Sequence, residues 1–225
     1  MSGERQGGAT PRTTVRRLPD RGRYDRDTIH AILDEGLVCH VGFVDEGQPF
    51  VIPSSYARRG DRLVLHGSAA SRMLRALAAG APACVTITLL DGLVLARSGF
   101  HHSMNYRSVV VVGRATEIID PAEKRRALDA IVEHAAPGRA ADVRPPSEGE
   151  LRATRVVELR LDEASGKVRT GPPKDDQADL ALGVWAGEVP LRLEAKEPVP
   201  DPCLGPGVAL PPEGTGWRRP RGRRA

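Results

Sequence analysis

The sequence predicts a mainly β protein with flanking helices, in which an antiparallel barrel carries helices on its outside. Three observations lead there. Strand-like runs are joined by short turns rich in Gly and Asp. The helical stretches are few and individually capped. The order of elements is helix, three strands, helix, three strands, helix, strand, with no regular strand–helix–strand repeat, which argues against a doubly wound sheet. Closure into a barrel is the way such a chain removes its sheet edges.

Taken in order, residues 1 to about 23 read as an unstructured or extended lead-in. "DRDTIHAILDEG" follows as a short helix, with Ile29, Ile32 and Leu33 spaced i, i+3, i+4 and Gly36 suited to the C′ position. "LVCHVGFV" (37–44), "PFVIPSSY" (49–56) and "RLVLHG" (62–67) are strands separated by "DEGQ" and "ARRGD". Ser68 stands at an N-cap before a helix that begins at Ala69 and reaches about Gly80, with Met73, Leu74 and Leu77 on one face. "ACVTITLL" (83–90) and "LVLARS" (93–98) form a hairpin across "DG". Residues 106–119 are one long strand, whose run Val109–Val112 reads as buried on both faces.

"DPAEKRRALDAIVEHA" is a helix with Asp120 as N-cap, Pro121 at N1 and Glu123 at N3. "SEGE" (147–150) is a small capping box. "TRVVELRLDEASGKVRT" is a final strand or hairpin. From about Gly171 the composition turns to Pro, Gly and charge, which suits an irregular arm packed on the surface. The resulting division is a disordered lead-in (1–11), a barrel domain (12–170), a C-terminal arm (171–212) and a basic tail (213–225).

Composition narrows the class. No apolar run approaches the roughly 18 residues that span a bilayer, and the Gly- and Arg-rich start has no apolar core of a signal peptide. Cys39, Cys84 and Cys203 are widely spaced with no C-x-x-C pair, which fits a reducing cytoplasm better than a zinc site or a disulfide framework. The net charge of +4 is concentrated near the ends, as in "WRRPRGRRA". Such arms would suit phosphate neutralisation, yet no aromatic-rich surface accompanies them, so solvated tails are the better reading and a nucleic-acid partner is not expected.

Several stretches carry polar groups that chemistry could use. Gly67-Ser68 opens a helix, with Ser71 and Arg72 close behind; free backbone N–H groups and a guanidinium suit an anion, and plain capping accounts for the same residues. "VIPSSY" ends in Ser54, Ser55 and Tyr56 beyond a proline, where main-chain groups are free to face something flat and polar; an ordinary strand end explains them equally well. "ARSGFHHSMNYRS" offers His101, His102, Asn105, Tyr106, Arg107 and Ser108. Adjacent histidines in an extended segment point to opposite faces, and His40 and His66 lie elsewhere, so no metal site is expected. No G-x-S-x-G, Walker loop or G-x-G-x-x-G occurs.

The run "GQPFVIPSSYARRGDRLVLHGSAASRML", followed by "HHSMNYRSVVVVGRA" and "GKVRTGPPKDD…VWAG", resembles the pyridoxamine 5′-phosphate oxidase superfamily over about residues 12 to 212, and within it the nitroimidazole-resistance, flavin-nucleotide-binding branch. The resemblance implies a six-stranded, Greek-key split β-barrel, a homodimer, and FMN bound in the dimer cleft. By the same resemblance Val51, Ile52, Pro53 and Ser54 lie along the flavin ring, joined by Tyr56; His66 and Gly67 stand where the oxidases have a Tyr-Thr pair; and Ser68, Ser71 and Arg72 hold the phosphate, with Met73 where those enzymes carry lysine. Arg107 and Ser108 precede Gly113 at the spacing of a pair that reaches the flavin across the dimer, and Trp185 matches a C-terminal tryptophan. His66 and Tyr106 are the candidates for the substrate side. The implied activity is an oxidoreductase of small electron-poor substrates, nitroreductase-like. A non-catalytic flavin- or haem-binding protein, or a reductase using the deazaflavin F420, are the alternatives that the family offers.

Overall fold

The computed structural model describes residues 9–210. The chain is mainly antiparallel β with flanking helices. After a short β1 (Gly22–Arg23) come α1 (Arg26–Glu35), β2 (Val38–Asp45), β3 (Gln48–Arg59), β4 (Arg62–Ser68) and α2 (Arg72–Ala78). These are followed by β5 (Pro82–Leu95), β6 (Ser103–Arg114), β7 (Thr116–Glu117), α3 (Pro121–Ala135), α4 (Glu148–Ala153), β8 (Thr154–Arg160), β9 (Ala164–Arg169) and β10 (Gly187–Pro190). The strand order is β1-β9-β6-β5-β2-β3-β4-β8-β7, with β10 added to β5. Among the described residues this path is open at β1 and β7, so its ladders do not form the closed six-stranded ring that the sequence suggests.

Alternation builds the core. On β2, Cys39, Val41 and Phe43 point inward, and on β6 Val109 and Val111 do the same, completing a cluster with Ile32 and Leu33 of α1 and Leu74 and Leu77 of α2. Val110 and Val112 face the other way and are only half-buried, which corrects the two-face burial expected for the valine run. A second, smaller cluster (Ala57, Val64, Ile118, Ala127, Ile131, Val156) lies under α3.

Several local expectations change. Ser68 does not cap a helix at Ala69. Gly67 and Ser68 still pair with Arg155 and Thr154 of β8, so the helix starts later, and the side chain of Ser71 accepts from the Leu74 amide. The "DG" at 91–92 is no hairpin. β5 runs straight through it with a register shift between Leu90 and Gly92, because β6 pairs with both halves. The strand expected over 106–119 begins at Ser103 and breaks after Arg114.

β8 and β9 pair not with each other but with β4 and β6 respectively. Gly36 closes α1 with an extended backbone rather than a left-handed one. It is needed for room, since a Cβ there would stand 2.5 Å from Ile87 Cγ2 and 2.6 Å from the Tyr56 hydroxyl. α3 and the capping box at Ser147 and Glu150 form where the sequence marks them.

The lead-in is more ordered than its composition suggests. Thr10 and Arg12 bond to the Glu163 carboxylate, and Gly22 and Arg23 pair with β9. Residues 1–8 and 211–225, the latter including the basic tail, lie outside the described residues. Beyond β9, the carboxylate of Asp175 takes the amide and guanidinium of Arg97 at 2.9 and 2.8 Å and is 1% exposed. β10 then docks on β5. No helix among the described residues is long and apolar enough to cross a membrane.

Candidate functional site

The feature that distinguishes this sheet is a split between two strands. β3 is long enough to serve two neighbours. Residues 48–55 pair with β2, whereas its pairing with β4 covers only Tyr56↔Leu65 to Arg59↔Arg62. Past Leu65, β4 turns its pairing to β8 alone. The edge of β3 over Val51–Ser55 and the edge of β4 over His66–Ser68 therefore part, and neither finds a strand partner on that side among the described residues. Unpaired main-chain groups are strong donors and acceptors that need partners.

Side chains at the split carry the same signature. Ile52 sits opposite Val41, which is fully buried, and yet Ile52 is 39% exposed. It lies on the inward face with no strand to cover it. Phe50 stacks on Phe43 at 5.5 Å between centroids, and the Arg72 guanidinium lies 4.7 Å from the Phe50 ring centroid. Apart from that face, Arg72 has only a long 3.9 Å approach to Asp45 and stays largely exposed. His66 projects on the face of β4 opposite Leu65, and its Nδ1 is buried without a hydrogen-bond partner. Burial holds its imidazole below the ordinary histidine range.

The split gathers Val51, Ile52, Pro53, Ser54, His66, Gly67, Ser68, Ser71 and Arg72 of the expected residues. Val51 and Pro53 turn outward from it, and Gly67 faces Leu74 so closely that a Cβ would lie 3.1 Å from its Cδ1. Tyr56 does not belong with them. Its ring is in the core, its hydroxyl donates to the Leu33 carbonyl at 2.6 Å, and it packs on His134 at 4.8 Å. It is the residue at which the β3–β4 ladder begins, so its side chain helps to fix where the split opens.

Arg107 is fully engaged within its own chain. It forms paired bonds to Asp91 at 2.9 and 2.7 Å and to Glu35 at 2.5 and 2.8 Å. These bonds raise its already high pKa further. It clamps the end of α1 to the irregularity in β5. Tyr106 and Ser108 lie on the outer side of β6, half-buried. Trp185 is exposed in the arm, its ring over Gly187.

Two pairings are not legible in the sequence, although Asn105 and His101 stand among its polar candidates. Asn105 and Arg169 form a hydrogen-bonded pair whose remaining groups reach Glu188, Gly171 and Pro172, tying the arm to β6. The ligand atoms of His101, Asp176 and Asp179 fall within 4.8 Å of one another, with Asp176 open to solvent. Nothing local in the sequence announces either, since the partners are distant along the chain. A surface depression of about 670 Å³ lies elsewhere, beside Arg59 and Glu123, whose charges pair with each other at 2.7 Å.

An antiparallel sheet opened between two of its strands, with main-chain edges and an uncovered apolar side chain facing the gap, defines a split-barrel protein. This chain belongs to the pyridoxamine 5′-phosphate oxidase family, whose model matches residues 25–168. Among solved structures, the flavocytochrome Anf3 from Azotobacter vinelandii is 44% identical, with 93% of this chain and 97% of that chain covered and a TM-score of 0.88. A FAD and haem binding protein from Mycobacterium smegmatis is 40% identical over 87% of this chain and 96% of that one, with a TM-score of 0.83. A Bacteroides thetaiotaomicron protein described in terms of 5-nitroimidazole antibiotic resistance is 30% identical over 65% and 86%, with a TM-score of 0.54. Comparison with curated proteins gives no significant match.

Proposed function

We propose that this chain is a flavin-binding redox protein whose flavin occupies the split between β3 and β4. The observation that carries the reading is the end of the β3–β4 ladder at Tyr56↔Leu65, which leaves two main-chain edges and Ile52 without strand partners. A planar, hydrogen-bonding ring with apolar faces matches that set. The edges of Val51–Ser55 and His66–Ser68 would orient the ring, while Ser71 and Arg72 would hold the phosphate end. When bound, the flavin supplies one- and two-electron transfer. The chain's own work is to exclude water with Phe50 and Ile52, to hold the ring's polar edge, and to counter the phosphate charge.

The sequence suggested FMN. Two of the relatives above favour FAD, with haem as a second group, since one is called a flavocytochrome and the other a FAD and haem binding protein. We take FAD and haem as the reading. A homodimer completes it. Val38, Val44, Val51 and Leu90 project from one side of β2, β3 and β5, leaving an exposed apolar sheet face of the kind that a second copy covers. The three free thiols suit a reducing, cytoplasmic setting.

The test is the absorption spectrum and mass of what copurifies, followed by anaerobic reduction with NAD(P)H and reoxidation by a small nitro compound or dioxygen. FAD with a Soret band, and turnover through both half-reactions, are expected. FMN or F420 in place of FAD would revise the cofactor. Binding without reduction or reoxidation would make the protein a carrier. No flavin bound after adding FAD and FMN would overturn the reading.

A further inference from the structure

Where the C-terminal arm passes the loop between β5 and β6, three ligand-type side chains meet. His101 ends the short 3-10 turn Gly99–His101, and Asp176 and Asp179 belong to the 3-10 turn Gln177–Ala181 and its N-cap. One ligand atom from each lies within 4.8 Å of the other two. In a 3-10 turn, residues three apart share a side, so the two carboxylates project together. None of the three belongs to the split between β3 and β4.

An ordinary ion pair accounts for only part of this arrangement. Asp176 opens its turn, yet its carboxylate caps no amide there, and its Oδ2 lies 3.3 Å from His101 Nε2. Asp179 is left over. Its carboxylate has no salt-bridge partner among the described residues, and it stands beside a second carboxylate. Like charges this close repel unless a cation lies between them. The spacing fits one. With metal–ligand bonds of about 2.0–2.2 Å, neighbouring ligand atoms in a tetrahedral site stand about 3.4 Å apart. The His101–Asp176 separation is close to that value already, and Asp179 has to close by no more than about 1.4 Å to match it.

The surroundings hold the ligands in place. Asp175, next to Asp176, binds the amide and guanidinium of Arg97 with its buried carboxylate, so the two segments are pinned together beside the cluster. Ser98 Oγ, at the start of the turn that presents His101, is buried with no hydrogen-bond partner. A buried hydroxyl in that state marks a place that takes a water or an ion, and metal sites use such groups to orient ligands and bound water.

We propose that His101, Asp176 and Asp179 bind one divalent first-row ion, of the zinc or manganese type, and that the ion clips the C-terminal arm to the β5–β6 loop. One imidazole and two carboxylates make a donor set that suits such ions better than copper(I) or an iron–sulfur cluster. Three protein ligands leave the remaining coordination to water. The neighbouring His102, whose Nδ1 lies 2.9 Å from the Ser98 carbonyl oxygen, is outside the set. The proposal does not rest on the flavin or haem reading.

Purified wild type, Asp179→Asn, His101→Ala and His102→Ala are stripped with EDTA, dialysed and titrated calorimetrically with Zn2+ and Mn2+, with the visible spectrum of added Co2+ as a second probe. Flavin and haem content and far-UV circular dichroism are followed as checks. Wild type is expected to take up one ion per chain. Asp179→Asn and His101→Ala should lose about tenfold or more in affinity with the fold retained, and His102→Ala should bind as wild type. Zn2+ should also slow tryptic cleavage after the exposed Lys174 in wild type and not in Asp179→Asn. Weak uptake of no fixed stoichiometry (an adventitious ion only), equal affinity in wild type and Asp179→Asn, or loss confined to His102→Ala would overturn the site. Cleavage at Lys174 that ignores Zn2+ would overturn the clip. None of these outcomes bears on flavin binding, so the function proposed above stands or falls separately.

Discussion

Replacing Arg72 by alanine separates a folding role from a binding role. In the folded chain this guanidinium makes two weak contacts. Its 3.9 Å approach to Asp45, between exposed side chains, is worth about 0–1 kcal/mol. Its position over Phe50 at 4.7 Å adds about 0.5–1 kcal/mol. The loss of stability should therefore be about 1 kcal/mol, a fall in Tm of about 2–4 °C for a chain of this size. A charge-assisted bond to a phosphate is worth more, about 1.5–3 kcal/mol, or about ten- to a hundredfold in affinity. Met73 brings no second charge to that point, so the contrast should be undiluted. Fluorescence titration of apoprotein with FAD, FMN and riboflavin measures it, with Tm followed in parallel. The phosphorylated flavins should weaken strongly and riboflavin hardly at all. Equal losses for all three would mean that Arg72 acts through folding, and unchanged affinities would remove it from the site.

Other outcomes follow from the same geometry. Gly36→Ala drives a methyl into Ile87 and the Tyr56 hydroxyl and should cost about 1–3 kcal/mol; a urea midpoint equal to wild type would refute the packing argument. His66 is held neutral by burial, below its ordinary value of 6.5. The unfolded chain then takes up the proton first, so His66 favours the native state fully above pH 6.5 and progressively less as pH falls. His66→Gln should flatten that acid-side loss in unfolding experiments at several pH values, leaving the slope of His30, which shifts in the same direction; an unchanged slope would sink the assignment. Burial pushes the Cys39 thiol up to about 12, whereas Cys84 and Cys203 are exposed. A thiol reagent should label Cys203 quickly in native protein and Cys39 only on unfolding, and rapid labelling of Cys39 would count against its core placement.

What the sequence revealed follows the range of the forces involved. α3 is marked by Asp120, Pro121 and Glu123, all within one turn, and it forms there. The alternation that turns Val41 and Val85 inward is equally local. What was hidden depends on distant partners. "DG" between two apolar runs has the chemistry of a hairpin turn, but β6 pairs across both halves of β5 and the turn becomes an irregularity in one strand. Ser68 and Ser71 are both competent caps, and the choice falls to Ser71 because β8 keeps Ser68 in the sheet. At the site, the stretches Val51–Ser54 and His66–Arg72 flank the split, and their expected role toward a flavin came from resemblance alone. Tyr56 was misplaced because alternation gives a residue's face but not whether a neighbouring strand covers it. The in-chain partners of Arg107 were hidden because Glu35 and Asp91 are remote in sequence.

The split is walled by peptide groups more than by side chains, and this shapes how such a protein can change over generations. Substituting Val51 rewrites the outward face and leaves the row of amides and carbonyls along β3 where it was. Adding or deleting a single residue there does the opposite. It slides the row by about 3.3 Å and exchanges the two faces of the strand. Lineages built on this plan are thus free in spelling and strict in length across residues 48–59, and a one-codon insertion should be more damaging there than many simultaneous replacements.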